Sequence, residues 1–151
     1  MLENIKIRFM RFENGRDLPL PRYESEGASG MDLRAAVGDE VVIEPGEIKL
    51  IPTGMGVSIP QGFEGQIRPR SGLALKKGVG LVNSPGTIDS DYRGEIAIIL
   101  INWGTKPVKI QRGDRIAQML ITRVYRALIM ESDHLDPTPR GQGGFGHSGL
   151  K

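Results

Sequence analysis

Ile96-Ala97-Ile98-Ile99-Leu100-Ile101 is the stretch on which the fold class turns. Six apolar residues in a row, mostly β-branched, lie between Glu95 and Asn102. A run this short and this rich in isoleucine is a strand rather than a helix. A strand with one wet face alternates apolar and polar; this one does not, so both faces are expected to be covered. Either the interior of the domain or contact with another subunit would provide the second cover.

The flanking sequence repeats the theme on both sides. Ile5 to Phe9 alternates with period two and reads as an edge strand. Val41–Ile43, Ile48–Ile51, Gly56–Ile59, Gly65–Arg68, Val79–Val82, Val108–Ile110 and Ile116–Val124 read as further strands. Between them stand turn signals such as Glu44-Pro45-Gly46-Glu47, Pro52-Thr53-Gly54 and Pro60-Gln61-Gly62. Ser71 to Lys77 is expected to form one short helix, with Ser71 as its N-cap. Many short strands and almost no helical periodicity predict an all-β barrel or sandwich.

The chain has 151 residues, enough for one domain with a core, and its 21 glycines and 10 prolines fit a fold with many turns. The net charge is only +2 and both signs are interspersed, which argues against a nucleic-acid binder with a basic stripe. There is no cysteine, so disulfides and zinc–thiolate sites are excluded. Met1 to Lys6 lacks the apolar region of a signal peptide, and no apolar run is long enough to span a membrane. A soluble, cytoplasmic protein is expected. After Asp136 the residues to be buried run out. Residues 1–136 are therefore read as the β domain and 137–151 as a flexible glycine-rich C-terminal arm. Arg140 and Phe145, set among those glycines, suggest an arm that orders onto something flat and anionic.

Four segments carry candidate chemistry. Asn83 to Glu95 places Asp89 and Asp91 in a loop between two apolar strands, where one carboxylate is a candidate for orienting water, and Pro85-Gly86 suits the centre of a type II turn. Arg68 to Ala74 puts the hydroxyl of Ser71 and unpaired amides at a helix mouth, which suits phosphate. Ala28 to Ala36 is by itself only a turn leading into a strand. In Gly113 to Leu120, Gln118 is polar within an apolar strand, so it must find partners or face a site. The spacing Gly141-x-Gly143-x-x-Gly146 is not a dinucleotide fingerprint, because no strand precedes it and no helix follows. His134 and His147 are expected at the surface rather than in catalysis.

In this order the segments resemble the five motifs of the trimeric dUTPase family. They are Ser29 to Ala35, Pro69 to Ala74, Gly86 to Glu95, Gly113 to Gln118 and Arg140 to Gly149. The last departs slightly: Gln142 and His147 stand where Glu and Ser are common, and Ser148 where Thr is. The resemblance implies a jelly-roll-like β-barrel and a homotrimer whose three active sites draw on all subunits, with the arm closing over the nucleotide. It also implies Mg²⁺-dependent hydrolysis of dUTP to dUMP and pyrophosphate. Asp89 would activate the attacking water. Arg70, Ser71, Gly72 and Gln118 would contact phosphate, and Arg140 would clamp the γ-phosphate. Asn83, Thr87, Ile88 and Ala97 would belong to the base-selecting hairpin, Tyr92 would pack on deoxyribose, and Phe145 would stack on uracil. Mg²⁺ would ride mainly on the phosphates, with Asp32 touching it through water. The rivals are a dCTP deaminase, whose group lacks a tyrosine like Tyr92, and a noncatalytic nucleotide-binding module, which would have lost Asp89 or the arm.

Overall fold

In the computed structural model, which describes residues 4–144, eleven strands and one short helix pack around a single apolar interior. The strands are β1 (Arg8–Arg11), β2 (Met31–Arg34), β3 (Val41–Ile43), β4 (Ile48–Pro52), β5 (Met55–Ser58), β6 (Phe63–Arg68), β7 (Val79–Leu81), β8 (Gly86–Ile88), β9 (Ala97–Asn102), β10 (Val108–Ile110) and β11 (Arg115–Arg123); α1 is Ser71–Lys77. They form four antiparallel sheets, ordered β2-β11-β6-β8, β4-β9-β7, β1-β5 and β10-β3. Among the described residues no two consecutive strands pair. Each turn sends the chain to a different sheet, the connectivity expected of a jelly-roll-like barrel.

Period-two burial explains why these segments become strands. In β9, Ile98, Leu100 and Asn102 point into the core, while Ala97, Ile99 and Ile101 point outward and are half-buried. Leu33, Ile43, Ile51, Ile96, Ile110, Ile116 and Met119 complete the fully buried interior. Full burial of a side chain of this size contributes about 1.5–3 kcal/mol. The double cover expected for β9 is therefore only half met within one chain. Its outward residues Ile99 and Ile101 lie opposite Leu50 and Ile48 of β4, which are 66% and 54% exposed.

Several expectations need correction. The first strand covers Arg8–Arg11 rather than Ile5–Phe9. Ile5, Ile7 and Phe9 do alternate in burial, but pairing with β5 stops at Arg8↔Ser58, and two residues on stands Pro60, which has no N–H for the ladder. The loop between β7 and β9 contains β8, which exists because Gly86, Thr87 and Ile88 pair with Ile67, Gln66 and Gly65 of β6. The type II turn at Pro85-Gly86 does not form: the Ser84–Pro85 peptide is cis, Gly86 lacks the positive φ that such a turn needs, and it begins β8 instead. Ser71 is the first helical residue, not the N-cap. Arg70 occupies the cap position in an extended conformation, and no side chain caps the helix.

One buried amide ties the β9–β10 turn to the body. Asn102 Nδ2 donates to the carbonyls of Ile43 (2.9 Å) and Lys106 (2.8 Å), and its Oδ1 accepts from Gly104 N–H (2.9 Å). Asn102→Ala leaves the buried Ile43 carbonyl and the part-buried Gly104 N–H and Lys106 carbonyl without these partners. The expected loss is about 3 kcal/mol, seen as a lower urea midpoint with an unchanged m-value.

Candidate active site

A cavity of about 250 Å³ opens where β8 leaves β6 and the hairpin before β9 folds back. Asn83, Gly86, Thr87, Ile88, Asp89, Tyr92 and Ala97 line it with apolar residues of β6, β7 and β9. Close backbone packing builds it. A Cβ on Gly86 would crowd Asn83 Nδ2 and Ile67 at 3.3 Å, so this glycine keeps β8 against β6. Tyr92 folds over Gly94, where a Cβ would overlap the phenol oxygen, and its hydroxyl donates to the Glu95 carbonyl at 2.8 Å. Asp89 is exposed at the rim. It also borders an adjoining cavity with Phe63, Glu64, Asp91 and Arg126, so it stands between two open pockets.

The arginine cluster is built elsewhere, on the β2-β11-β6 row. Gln118 of β11 lies opposite Asp32 of β2 on one side and Arg68 of β6 on the other. Cross-strand neighbours share a face, so all three project together. Asp32, with its side chain 15% exposed, accepts from Arg70 Nε (3.0 Å) at Oδ1 and from Arg115 Nη1 (3.1 Å) at Oδ2. Arg70 Nη1 also donates to the Arg115 carbonyl. Gln118 is satisfied as its position required: Nε2 donates to the Pro69 carbonyl (3.0 Å), which fixes the segment carrying Arg70. Gly30 makes room, since a Cβ there would lie 2.6 Å from Gln118 Oε1. Arg68, Arg70 and Arg115 outnumber the carboxylates of Asp32 and of Asp114, which lines the cavity beside Arg70 and Arg115, and leave the cluster positive. Ser71 and Gly72 are exposed beside it and supply the first amides of α1, which have no intrahelical acceptor.

The structure thus brings Asn83, Thr87, Ile88, Asp89, Tyr92 and Ala97 together in one cavity. It brings Asp32, Arg70 and Gln118 together in a second place, next to Ser71 and Gly72. No residue lines both the first cavity and the one beside Arg70 and Arg115. Arg140 joins neither: it is exposed, and its Nε donates to the Gly143 carbonyl of its own turn. Phe145 and His147 lie outside the described residues, and His134 is exposed. Two residues escaped sequence reasoning. Arg115 should face the core side by period two, but a bulge at the start of β11 opposes two residues to one on β2 and turns it toward Asp32. Glu95 lines the cavity and accepts from Gly54 N–H (2.6 Å) and Asn14 Nδ2 (2.9 Å), partners far away in the chain.

The fold family implies a divalent metal, so the donors matter. Among the described residues no group of three or more His, Asp or Glu could hold an ion. Each Asp32 oxygen already carries one arginine. This donor set fits an ion held by ligand phosphates, with Asp32 reaching it through water, and not a protein-only cage.

A jelly-roll barrel with a small, partly polar cavity and a separate arginine cluster defines a protein equipped for a compact ligand head and for anionic oxygen. Comparison with known proteins narrows that class. The dUTPase family pattern matches residues 16–149. The deoxyuridine 5'-triphosphate nucleotidohydrolase of Thermoanaerobacter sp. (strain X514) is 57% identical over 147 residues, 97% of this chain and 99% of that protein. Its namesake in Methylocella silvestris is 55% identical over 151 residues, 99% of this chain and 94% of that protein. The chain belongs to the dUTPase family. Among solved structures, the Staphylococcus bacteriophage 80alpha dUTPase with dUpNHpp superposes with a TM-score of 0.84 at 25% identity, covering 96% of this chain and 99% of that one. The dUTPase of an S. aureus phage, described with a structural Mg(II) ion, shares the fold with a TM-score of 0.75 at 24% identity, covering 85% of this chain and 97% of that one.

Glu95 offers a direct check on how the cavity wall is held. Glu95→Ala strips the Gly54 N–H of its acceptor in a buried turn and should cost about 1–3 kcal/mol in urea unfolding, whereas Glu95→Gln, which keeps a side-chain carbonyl, should cost clearly less. Equal losses in the two variants would show that the hydrogen bond is not what holds the wall.

Proposed function

We propose that the protein hydrolyses dUTP to dUMP and pyrophosphate, with Asp89 orienting the attacking water. The observation that carries this reading is the position of Asp89 at the mouth of the cavity lined by Asn83, Thr87, Tyr92 and Ala97. A carboxylate accepts a hydrogen bond from water and takes the proton only as attack proceeds. Water oxygen bonds to the α-phosphorus in line, the bond to the bridging oxygen of the β-phosphate breaks, and pyrophosphate leaves. The proton goes to Asp89 and from there to solvent. Bound Mg²⁺ supplies charge neutralisation of the triphosphate.

The remaining residues divide by chemistry. Asn83, Thr87, Ile88 and Ala97 form the base-selecting hairpin, where main-chain and amide groups distinguish uracil from cytosine by their opposite donor and acceptor patterns. Tyr92, fixed by its bond to Glu95, stands against deoxyribose and leaves no space for a 2′-hydroxyl. Arg70, Ser71, Gly72 and Gln118 contact phosphate, and Arg140 clamps the γ-phosphate through its planar guanidinium. Residues 137–151 form the arm, with Phe145 stacking on uracil, and 1–136 the barrel. We place the enzyme in the cytoplasm, a reading that the cysteine-free composition supports; no helix among the described residues is long and apolar enough to cross a membrane.

We further propose a homotrimer with shared sites. The cavity and the arginine cluster are separate within one chain, so a nucleotide spanning both needs the cavity of one copy beside the arginines of another. The outward face of β4 and β9 offers Ile48, Leu50, Ile99 and Ile101 for such contact. After β11, Tyr125, Leu128, Ile129, Met130 and Leu135 are exposed, with no cover among the described residues.

Asp89→Asn should bind the nucleotide and lose about 10²–10⁴ in kcat, read as pyrophosphate release from dUTP with Mg²⁺; near-normal turnover would remove Asp89 from the mechanism. Shared sites have a sharper test. Asp89→Asn and Arg70→Ala chains, each inactive alone, should recover activity in about a quarter of their sites when refolded together in equal amounts, because each intact site then takes one residue from each kind of chain. No recovery in assembled mixtures would place both residues in a single chain's site.

A further inference from the structure

A cleft of about 590 Å³ opens between the end of α1 and the turn joining β9 to β10, away from the cavity assigned to the nucleoside. Its walls carry Lys76, Lys77, Lys106 and Lys109 and no carboxylate. Lys109 is paired, with Glu40 at 2.7 Å. Lys76, Lys77 and Lys106 are exposed and have no acidic partner among the described residues.

Rigid backbone brings these charges together. Gly78 ends α1 in the left-handed region (φ 68°), and a Cβ there would lie 2.7 Å from the Gly104 nitrogen. A Cβ on Gly104 would lie 2.7 Å from the Lys77 carbonyl oxygen. The two main chains touch because both residues are glycine, and the Asn102 clamp holds the turn in that contact. Like charges that line one cleft repel one another, and most strongly at low salt. The end of the helix dipole offsets part of this for Lys76 and Lys77, but the turn lysines gain little from it. The arrangement therefore does not serve the stability of the fold, and it suits an anion.

The cleft is continuous with the arginine cluster. Lys77 and Lys109 also line the neighbouring cavity, which holds Arg70 and Arg115 together with one carboxylate, Asp114, that accepts from the Gln111 N–H; four cations against one anion keep it positive. We infer that the cleft is a receiving site for a chain of phosphate groups, which collects the triphosphate of the incoming nucleotide and delivers it past Lys77 and Lys109 to Arg70. This rests on the phosphate role proposed above for Arg70. Pyrophosphate leaving the site shares the same chemistry, and the test separates the two.

The variant Lys76→Gln/Lys77→Gln/Lys106→Gln changes the three unpaired lysines and none of the residues assigned to the active site. At about 20 mM salt its kcat/KM for dUTP should fall about fivefold to tenfold with kcat within twofold, and at about 500 mM salt the difference should vanish. If pyrophosphate inhibition weakens in step, the cleft also carries the leaving product; if it does not, the cleft serves only the incoming nucleotide. Unchanged kcat/KM at low salt, or an equal fall at both salt concentrations, would overturn the inference. A second arm needs no turnover: inorganic tripolyphosphate titrated calorimetrically into the full-length protein at low salt should bind about tenfold more weakly to the variant. Weakened tripolyphosphate binding in a protein that leaves dUTP intact would retain the anion cleft and refute the hydrolase reading, whereas equal binding to both proteins would refute the cleft.

Discussion

The shared carboxylate of Asp32 is the interaction on which the arginine-rich half of this protein depends. It lies between Arg70 and Arg115, and so joins three segments that are distant in the chain. A largely buried aspartate needs such partners, because an unpaired charge at that depth is costly. Its place is set by β11, the longest strand, which runs between β2 and β6 and carries Gln118 in register with both Asp32 and Arg68. Gly30 leaves space for the Gln118 amide, and that amide in turn holds the segment with Arg70. Each member of the cluster is positioned by another, so the arginines are held in place instead of being mobile surface charges.

The same barrel divides its labour in space. The cavity at the β8 hairpin and the arginine cluster at the β2-β11-β6 row share no lining residue, though both are continuous with β6. β9 shows the corresponding division in packing. Ile98 and Leu100 belong to the core, while Ile99 and Ile101 continue an apolar strip that β4 leaves uncovered. One strand thus serves the interior of its own chain on one face and leaves an apolar strip on the other. The separate linings of the two cavities and this uncovered strip are the physical basis for proposing that assembly completes the site.

Strand positions were legible where period-two burial and turn residues agreed, as at Val41–Ile43 and Val108–Ile110, which match β3 and β10. They were not legible where hydrogen-bonding partners decide. Ile5 to Ile7 alternate as a strand but run past the point where β5 can pair, and Gly86 to Ile88 look like loop until β6 lies beside them. Of the residues that line the cavity, Gly86, Thr87, Ile88, Asp89 and Tyr92 lie in the stretch that resembles the third dUTPase motif, and Asn83 and Ala97 flank it. The contacts of Glu95 and Arg115 were not legible, for two different reasons. The partners of Glu95 at Gly54 and Asn14 come from remote turns, and the bulge that turns Arg115 toward Asp32 leaves no mark in a hydrophobic pattern.

The sequence by itself determined the class of fold, the set of motifs and the polar residue types required at each, because alternation, turn chemistry and side-chain functional groups are local properties. Tertiary structure alone decided that Asp32 is gripped by two arginines, that Asp89 stands apart from them, and that the lysines of α1 converge with those of the β9–β10 turn. These are distances between segments brought together by non-local strand pairing and close glycine contacts. Register and backbone approach arise only when the sheets close around the core.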